Sequence, residues 1–253
     1  MESLQYFFRG EYDGYVFKAF SPLHFGILAV MFLGIGLIVK KADYLRTESG
    51  KKYRWLLFTV LLIEQIMQYS WYFLVGTFTL GDSLPLYICR TAILSILLAF
   101  ATGNRKTETI SVYWGLFGGV LASVVPVIYP FSFPHFTNFS YFIGHLFMVW
   151  SVTWFIAVEK YRFTRPGLVF ILIFTNLFNV GMYFLNPLIN GNYSYFTFSP
   201  VLWEVFSQMD HRLYASILFI LYNLLIFLIH CTGSYFQKPG SRNRKAEIGK
   251  PNN

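Results

Sequence analysis

Charge is scarce in this 253-residue sequence: Asp, Glu, Lys and Arg together make up 13% of it. A soluble chain of this length would form one or two domains and carry about twice that share. A soluble fold is therefore excluded, and no internal repeat or soluble domain stands out. Cysteine is nearly absent, with Cys89 and Cys231 alone. The expected topology puts them at opposite faces of a bilayer whose core is ~30 Å thick, whereas a disulfide needs Cα atoms within about 7 Å. Both thiols are expected to be free. A basic leader is missing as well. Glu2, Glu11 and Asp13 precede the first apolar run, and Lys40-Lys41 stops it without a small-residue cleavage site, so it does not read as a cleavable signal.

What the chain does have is apolar and aromatic. Apolar residues are 55% of it, and the 29 Phe and 18 Tyr suit lipid-facing surfaces and interfacial belts. The fold class is all-α: a polytopic membrane protein with seven transmembrane helices, at roughly 22–39, 55–75, 84–101, 110–128, 139–158, 168–185 and 211–230. Each reaches or approaches the ~20 residues that cross the hydrocarbon core. Lys and Arg crowd the 40–54, 102–109 and 159–167 loops and the tail, but are missing from 76–83, 129–138 and 186–210. The positive-inside rule then places the N-terminus out and the C-terminus in. This divides the chain into an outer segment (1–21), a helical domain (22–230) and a basic cytoplasmic tail (231–253, with Lys238, Arg242, Arg244, Lys245 and Lys250). The net charge of +8 is thereby a topology signal in a multi-pass cell-membrane protein, with anionic lipid headgroups as a lesser partner and no nucleic acid.

Gly115, Gly118, Gly119, Ala122 and Ser123 fall at helical spacing and predict close backbone packing of the fourth span. The 186–210 connection is the one long one. It holds a turn at Asn190-Gly191-Asn192 and an interfacial anchor at Trp203, and reads equally as a lid or a plain connector.

The polar residues within the apolar runs carry the chemistry. Leu84-Pro85-Leu86-Tyr87-Ile88-Cys89-Arg90 puts a thiol and a guanidinium beside each other in a span, and Gly144-His145 puts an imidazole in another. Such groups are costly in a bilayer and mark function. At ~1.5 Å per helical residue, Cys89 lies roughly 7 Å and His145 about 9 Å below the outer surface. Glu64 lies deeper, about 16 Å in, with Gln65, Gln68 and Asn176 near its level. That gap argues against a Cys–His–Glu triad and for a separate polar cluster round Glu64. Each residue also has a purely structural reading: Cys89 as a small buried hydrophobe, His145 as an interhelical hydrogen-bonder, Glu64 as a paired acid. Arg90 either holds a lipid phosphate or snorkels outward to pair with Asp82. His24 and His135 are interfacial. Three histidines at one surface raise a zinc site, but no HxxxH-type spacing supports it, so no metal and no cofactor is expected.

Ser21-Pro22-Leu23-His24-Phe25, Glu64, Leu84-Pro85-Leu86 through Cys89, Gly118-Gly119 with Pro126, Phe133-Pro134-His135-Phe136, Gly144-His145 and Gly191-Asn192-Tyr193 occur in one order along the chain. In that order they resemble the YwaF family of bacterial integral membrane proteins, from residue 21 to about 200. That family in turn is similar to an animal transmembrane acyltransferase group. The resemblance implies acyl transfer between phospholipids through a Cys/His pair, with Cys89 as nucleophile and His145 as base.

The leading expectation is a phospholipid acyltransferase or acyl hydrolase of the outer leaflet, with Cys89 and His145 catalytic and Arg90, Glu64, Gln68, His24 and Asn176 binding substrate. The alternative is a transporter, or a lipid- or small-molecule-binding membrane protein, organised around Glu64, Gln68 and Asn176. Oligomeric state is not legible in the sequence.

Overall fold

A computed structural model describes residues 2–201 and 203–237, the side chains of Glu2 and Trp203 apart. Among these residues every regular element is helical. Seven helices of 15 to 28 residues form the body: α1 (Pro22–Lys40), α2 (Glu48–Val75), α3 (Ile88–Thr102), α4 (Arg105–Val124), α5 (Phe136–Ala157), α6 (Arg165–Ile189) and α7 (His211–Phe236). Short helices occupy Glu2–Phe7, Ala42–Leu45 and Trp203–Phe206. Four of the seven, α1, α5, α6 and α7, are long and apolar enough to cross a membrane. α3 is apolar but only 15 residues long; α2 and α4 are long enough but more polar. The Trp203 anchor and the basic tail beyond Gln237 lie outside the described residues.

Local sequence sets the ends of these helices. Ser21, Thr47, Asn104, His135, Thr164 and Asp210 each supply a side-chain acceptor to the first turn that follows. Gly76, Gly103 and Asn190 end α2, α3 and α6 in the left-handed conformation. Two helix starts near the site, those of α3 and α5, correct the sequence reading. The third helix starts at Ile88, not at Leu84, because 84–87 finds partners elsewhere. The Leu84 amide donates to the Tyr193 hydroxyl (2.9 Å), and the Thr91 hydroxyl donates to the Pro85 carbonyl (2.7 Å).

α5 is the centre of the bundle, packed against α1, α2, α3 and α4, while α6 and α7 pair with each other and lie on α4. Small residues permit the closest approaches. A Cβ on Gly115 would come within 2.5 Å of Val152, and one on Gly119 within 2.8 Å of Val149. On Gly34 it would meet the Trp150 ring at 2.2 Å. Trp114, Tyr113, Ile96, Met148, Val152 and Phe155 fill the interior. Leu23, Phe25, Phe32, Leu33 and Leu37 of α1 and Leu177, Phe184 and Leu188 of α6 point outward. An apolar outside of this kind is what lipid requires.

Candidate functional site

The connections 76–87 and 125–135 and residues 190–200 gather at one end of the bundle. Beneath them lies a cavity of about 280 Å³ between α2, α3 and α5. Its walls include Glu64, Gln65 and Gln68 of α2, Cys89 and Arg90 of α3, and Ser140, Tyr141 and His145 of α5. Asp82, Tyr87, Tyr129 and Tyr195 close it from the loops. Cys89, His145, Arg90, Glu64 and Gln68 are thus brought together. Two expected residues lie apart. His24 is fully buried at the start of α1, where its Nδ1 accepts from the Phe20 amide (2.8 Å) and its Nε2 donates to the Ser123 carbonyl (2.7 Å). Asn176 is locked to Asn223 of α7 by two amide hydrogen bonds of 2.8 and 2.9 Å.

The geometry of the imidazole fixes its tautomer. His145 Nδ1 lies 2.6 Å from the carbonyl oxygen of Tyr141, one turn earlier on α5. A carbonyl can only accept, so Nδ1 carries the proton and Nε2 is left as an acceptor. That Nε2 is buried and has no partner among the described residues.

Cys89 is the second residue of α3. The preceding Tyr87 supplies no side-chain cap to the first turn. A helix N-terminus presents positive partial charge to whatever anion sits there, so a thiolate, or an oxyanion formed beside it, would meet backbone donors. Gly118 of α4 lies behind this turn, and a Cβ there would rest about 4 Å from the Cys89 backbone.

Arg90 is held by a network that the sequence reading only touched. It donates to the Asp82 carbonyl (2.9 Å) and to the hydroxyls of Tyr72 and Tyr129 (3.2 Å to the latter). Tyr129 donates in turn to the Asp82 carboxylate, and Tyr87 donates to its other oxygen (3.0 Å). Asp82 and Arg90 therefore meet through tyrosine hydroxyls rather than as a direct ion pair. Burial pushes the Tyr129 and Tyr87 phenols well above their ordinary range, which keeps both as donors. A guanidinium has five N–H groups, so some remain for a cavity ligand.

Glu64 shares the cavity with Cys89 and His145 but bonds to neither. Its Oε1 accepts from the Ser140 hydroxyl and its Oε2 from the Gln65 amide, each at 2.6 Å. Gly144, next to His145, is bare on that side, so a Cβ there would sit 3.4 Å from the carboxyl. The expected depths placed Glu64 out of reach because α5 was started at Phe139. It starts three residues earlier, which lowers His145 by about 4–5 Å at the helical rise. Asn192, Tyr193 and Tyr195 of the long connection form part of the wall and its support. The Tyr193 hydroxyl donates to the Leu80 carbonyl (2.7 Å), and its backbone is clasped by the Asn186 side chain. The cysteines are free, as expected, and among the described residues no group of three His, Cys, Asp or Glu side chains could hold a metal.

With this geometry described, comparison with known proteins adds one fact. Residues 19–232 match the TMEM164 family, and the chain belongs to that membrane-protein family. No curated protein and no solved structure matches it.

Proposed function

We propose that this TMEM164-family membrane protein transfers or hydrolyses acyl groups of phospholipids, with Cys89 as nucleophile and His145 as base. One observation carries the reading: the two side chains line the same cavity, and His145 Nε2 has no competing partner there. In the first half-reaction Nε2 takes the thiol proton while Cys89 Sγ attacks the ester carbonyl carbon. The oxyanion that forms lies at the N-terminus of α3, near the Arg90 guanidinium. The ester C–O bond then breaks, His145 returns the proton to the departing alcohol, and a thioester remains on Cys89. Arg90, already anchored by Tyr72 and Tyr129, binds the lipid phosphate. The resemblance to the YwaF family and to the animal acyltransferase group supports the same chemistry.

The proposed topology has seven spans, with the cavity end and the N-terminal segment outside. Its support is the lack of Lys and Arg from 76–83, 129–138 and 186–210. The competing reading, a transporter or small-molecule binder built on Glu64, Gln68 and Asn176, draws support from the acid in the cavity but loses Asn176, which is engaged with Asn223. The two readings part in one experiment. Purified protein is incubated with acyl-labelled phospholipid and examined for a hydroxylamine-labile adduct. The acyl-transfer reading expects the adduct in the native chain and none in Cys89→Ala. Label retained in Cys89→Ala removes the cysteine from the mechanism, and no label in either favours the binder.

A further inference from the structure

Three polar side chains in the cavity are more than nine-tenths buried yet incompletely bonded: Gln65 and Gln68 (6% exposed each) and His145 (8%). Gln65 spends its Nε2 on Glu64 and leaves Oε1 without a partner. Gln68 places Oε1 2.8 Å from the Ser140 hydroxyl and leaves Nε2 without one. His145 leaves Nε2. An unmet buried polar group is costly, and three of them on residues that line one cavity mark a place where a ligand supplies the missing bonds.

The Ser140 hydroxyl has one proton and gives it to Glu64, so Ser140 Oγ accepts from the Gln68 amide, which then turns its Oε1 the other way. The missing bonds are then of one kind: Gln65 Oε1, Gln68 Oε1 and His145 Nε2 each lack a donor. An acyl chain and an ester carbonyl offer none, whereas a hydroxyl donates to any of the three. The Glu64 carboxyl, held by Ser140 and Gln65, fixes both the Gln65 amide and the Ser140 hydroxyl that sets Gln68.

We infer that Gln65 and Gln68, oriented by Glu64 and Ser140, form a hydroxyl-binding subsite that presents the acyl-accepting oxygen to the thioester. The inference rests on the acyl-transfer reading and names the site of its second half-reaction. There the hydroxyl gives its proton to His145 Nε2 as its oxygen attacks the thioester carbonyl. A C–O bond forms, the C–S bond breaks, and the proton passes from Nε2 to Cys89 Sγ. An alcohol and water share this chemistry: one gives a new ester, the other a free acid.

The test separates the two half-reactions. Full-length protein carrying a labelled acyl group from phosphatidylcholine vesicles is chased with buffer alone or with a monoacyl phospholipid bearing one free hydroxyl. Gln65→Met and Gln68→Met keep side-chain length without the amide. The expected result is a discharge rate that falls at least tenfold further than the formation rate, with the buffer arm reporting water and the other arm reporting alcohol. A native discharge rate in both variants overturns the subsite. So does a parallel fall in formation and discharge, which marks a structural role. Absence of the adduct in the native chain overturns the acyl-transfer reading itself, and the subsite with it.

Discussion

The Nδ1 of His145 and the carbonyl oxygen of Tyr141 lie 2.6 Å apart on one helix, so an imidazole within the bundle is held by its own backbone rather than by a carboxylate. A carbonyl orients the ring and selects its tautomer without bringing a second charge. The other nitrogen, Nε2, is then the basic one.

His145→Gln removes that base while keeping a polar group of similar reach. Adduct formation on Cys89 should fall by about 10²–10⁴-fold, the usual worth of a general base. Thermal stability should fall by no more than about 0.5–1.5 kcal/mol, the worth of the Nδ1 bond to Tyr141, since Nε2 bonds nothing among the described residues. Time-resolved labelling and a melting curve on the same preparation check both halves. A variant that labels at the native rate would take His145 out of the chemistry.

Tyr129→Phe deletes the hydroxyl that joins Arg90 to the Asp82 carboxylate. Both partners are then left short of a bond, so a stability loss of about 1–3 kcal/mol is expected. Because Arg90 also loses an anchor, the KM for phospholipid should rise more than kcat falls. Steady-state kinetics across a vesicle concentration series measure the split. Equal changes in both would mean that Arg90 acts only in the transition state.

Asn176 and Asn223 form a reciprocal amide pair between α6 and α7. Asn176→Leu alone strands the partner amide between two apolar helices, and should cost about 0.6–2 kcal/mol. The double change to Leu should recover part of that loss, which a double-mutant cycle reads directly. Adduct formation should be native in all three variants, because neither residue lines the cavity. A fall in labelling without a fall in stability would return Asn176 to the site.

Much of this was legible in the apolar pattern. The uncharged runs mark the helices, and the Gly115/Gly119 spacing marks a closely packed span, whose partner is α5. The start of α3 was not legible. A helical reading of Leu84–Tyr87 is locally sound, and among the bonds that hold that stretch in another shape is one to Tyr193, more than a hundred residues away. The company of Glu64 was lost for a similar reason. A three-residue error at the head of α5 becomes several ångströms of depth, enough to separate residues that in fact share a cavity. The tyrosines round Arg90 were missed because a Tyr near a membrane surface normally reads as an interfacial belt.

The N-terminal segment offers the last prediction, since it reaches over the loop that carries Tyr129. Asp13 accepts from the Ser132 amide (2.9 Å) and hydroxyl (2.6 Å) and pairs with Arg9. The Arg9 carbonyl accepts from His135 Nε2 (3.0 Å), and the Phe8 carbonyl from Trp71 Nε1 (3.1 Å). The Ser132 bonds, with Arg9 behind them, hold the Asp13 carboxyl well below the usual carboxylate range, while burial holds His135 below the usual imidazole range. Both are depressed, so in each case the unfolded chain binds a proton that the folded one refuses, and stability falls as pH falls. His135 should begin to act below its unfolded value of about 6.5, and Asp13 below about 3.9. The stabilisation should therefore be fully present above pH ~7 and fade in two steps on acidification. Protonating His135 would also remove the Nδ1 acceptor that caps Thr137 (3.2 Å) at the head of α5. His135→Asn keeps a capping acceptor without titrating, and should flatten the upper step; Asp13→Asn should flatten the lower one and lower the neutral plateau. Trp71 fluorescence in a pH series of thermal melts follows the docking directly. An unchanged upper step in His135→Asn would show that another group sets the acid sensitivity of this end of the bundle.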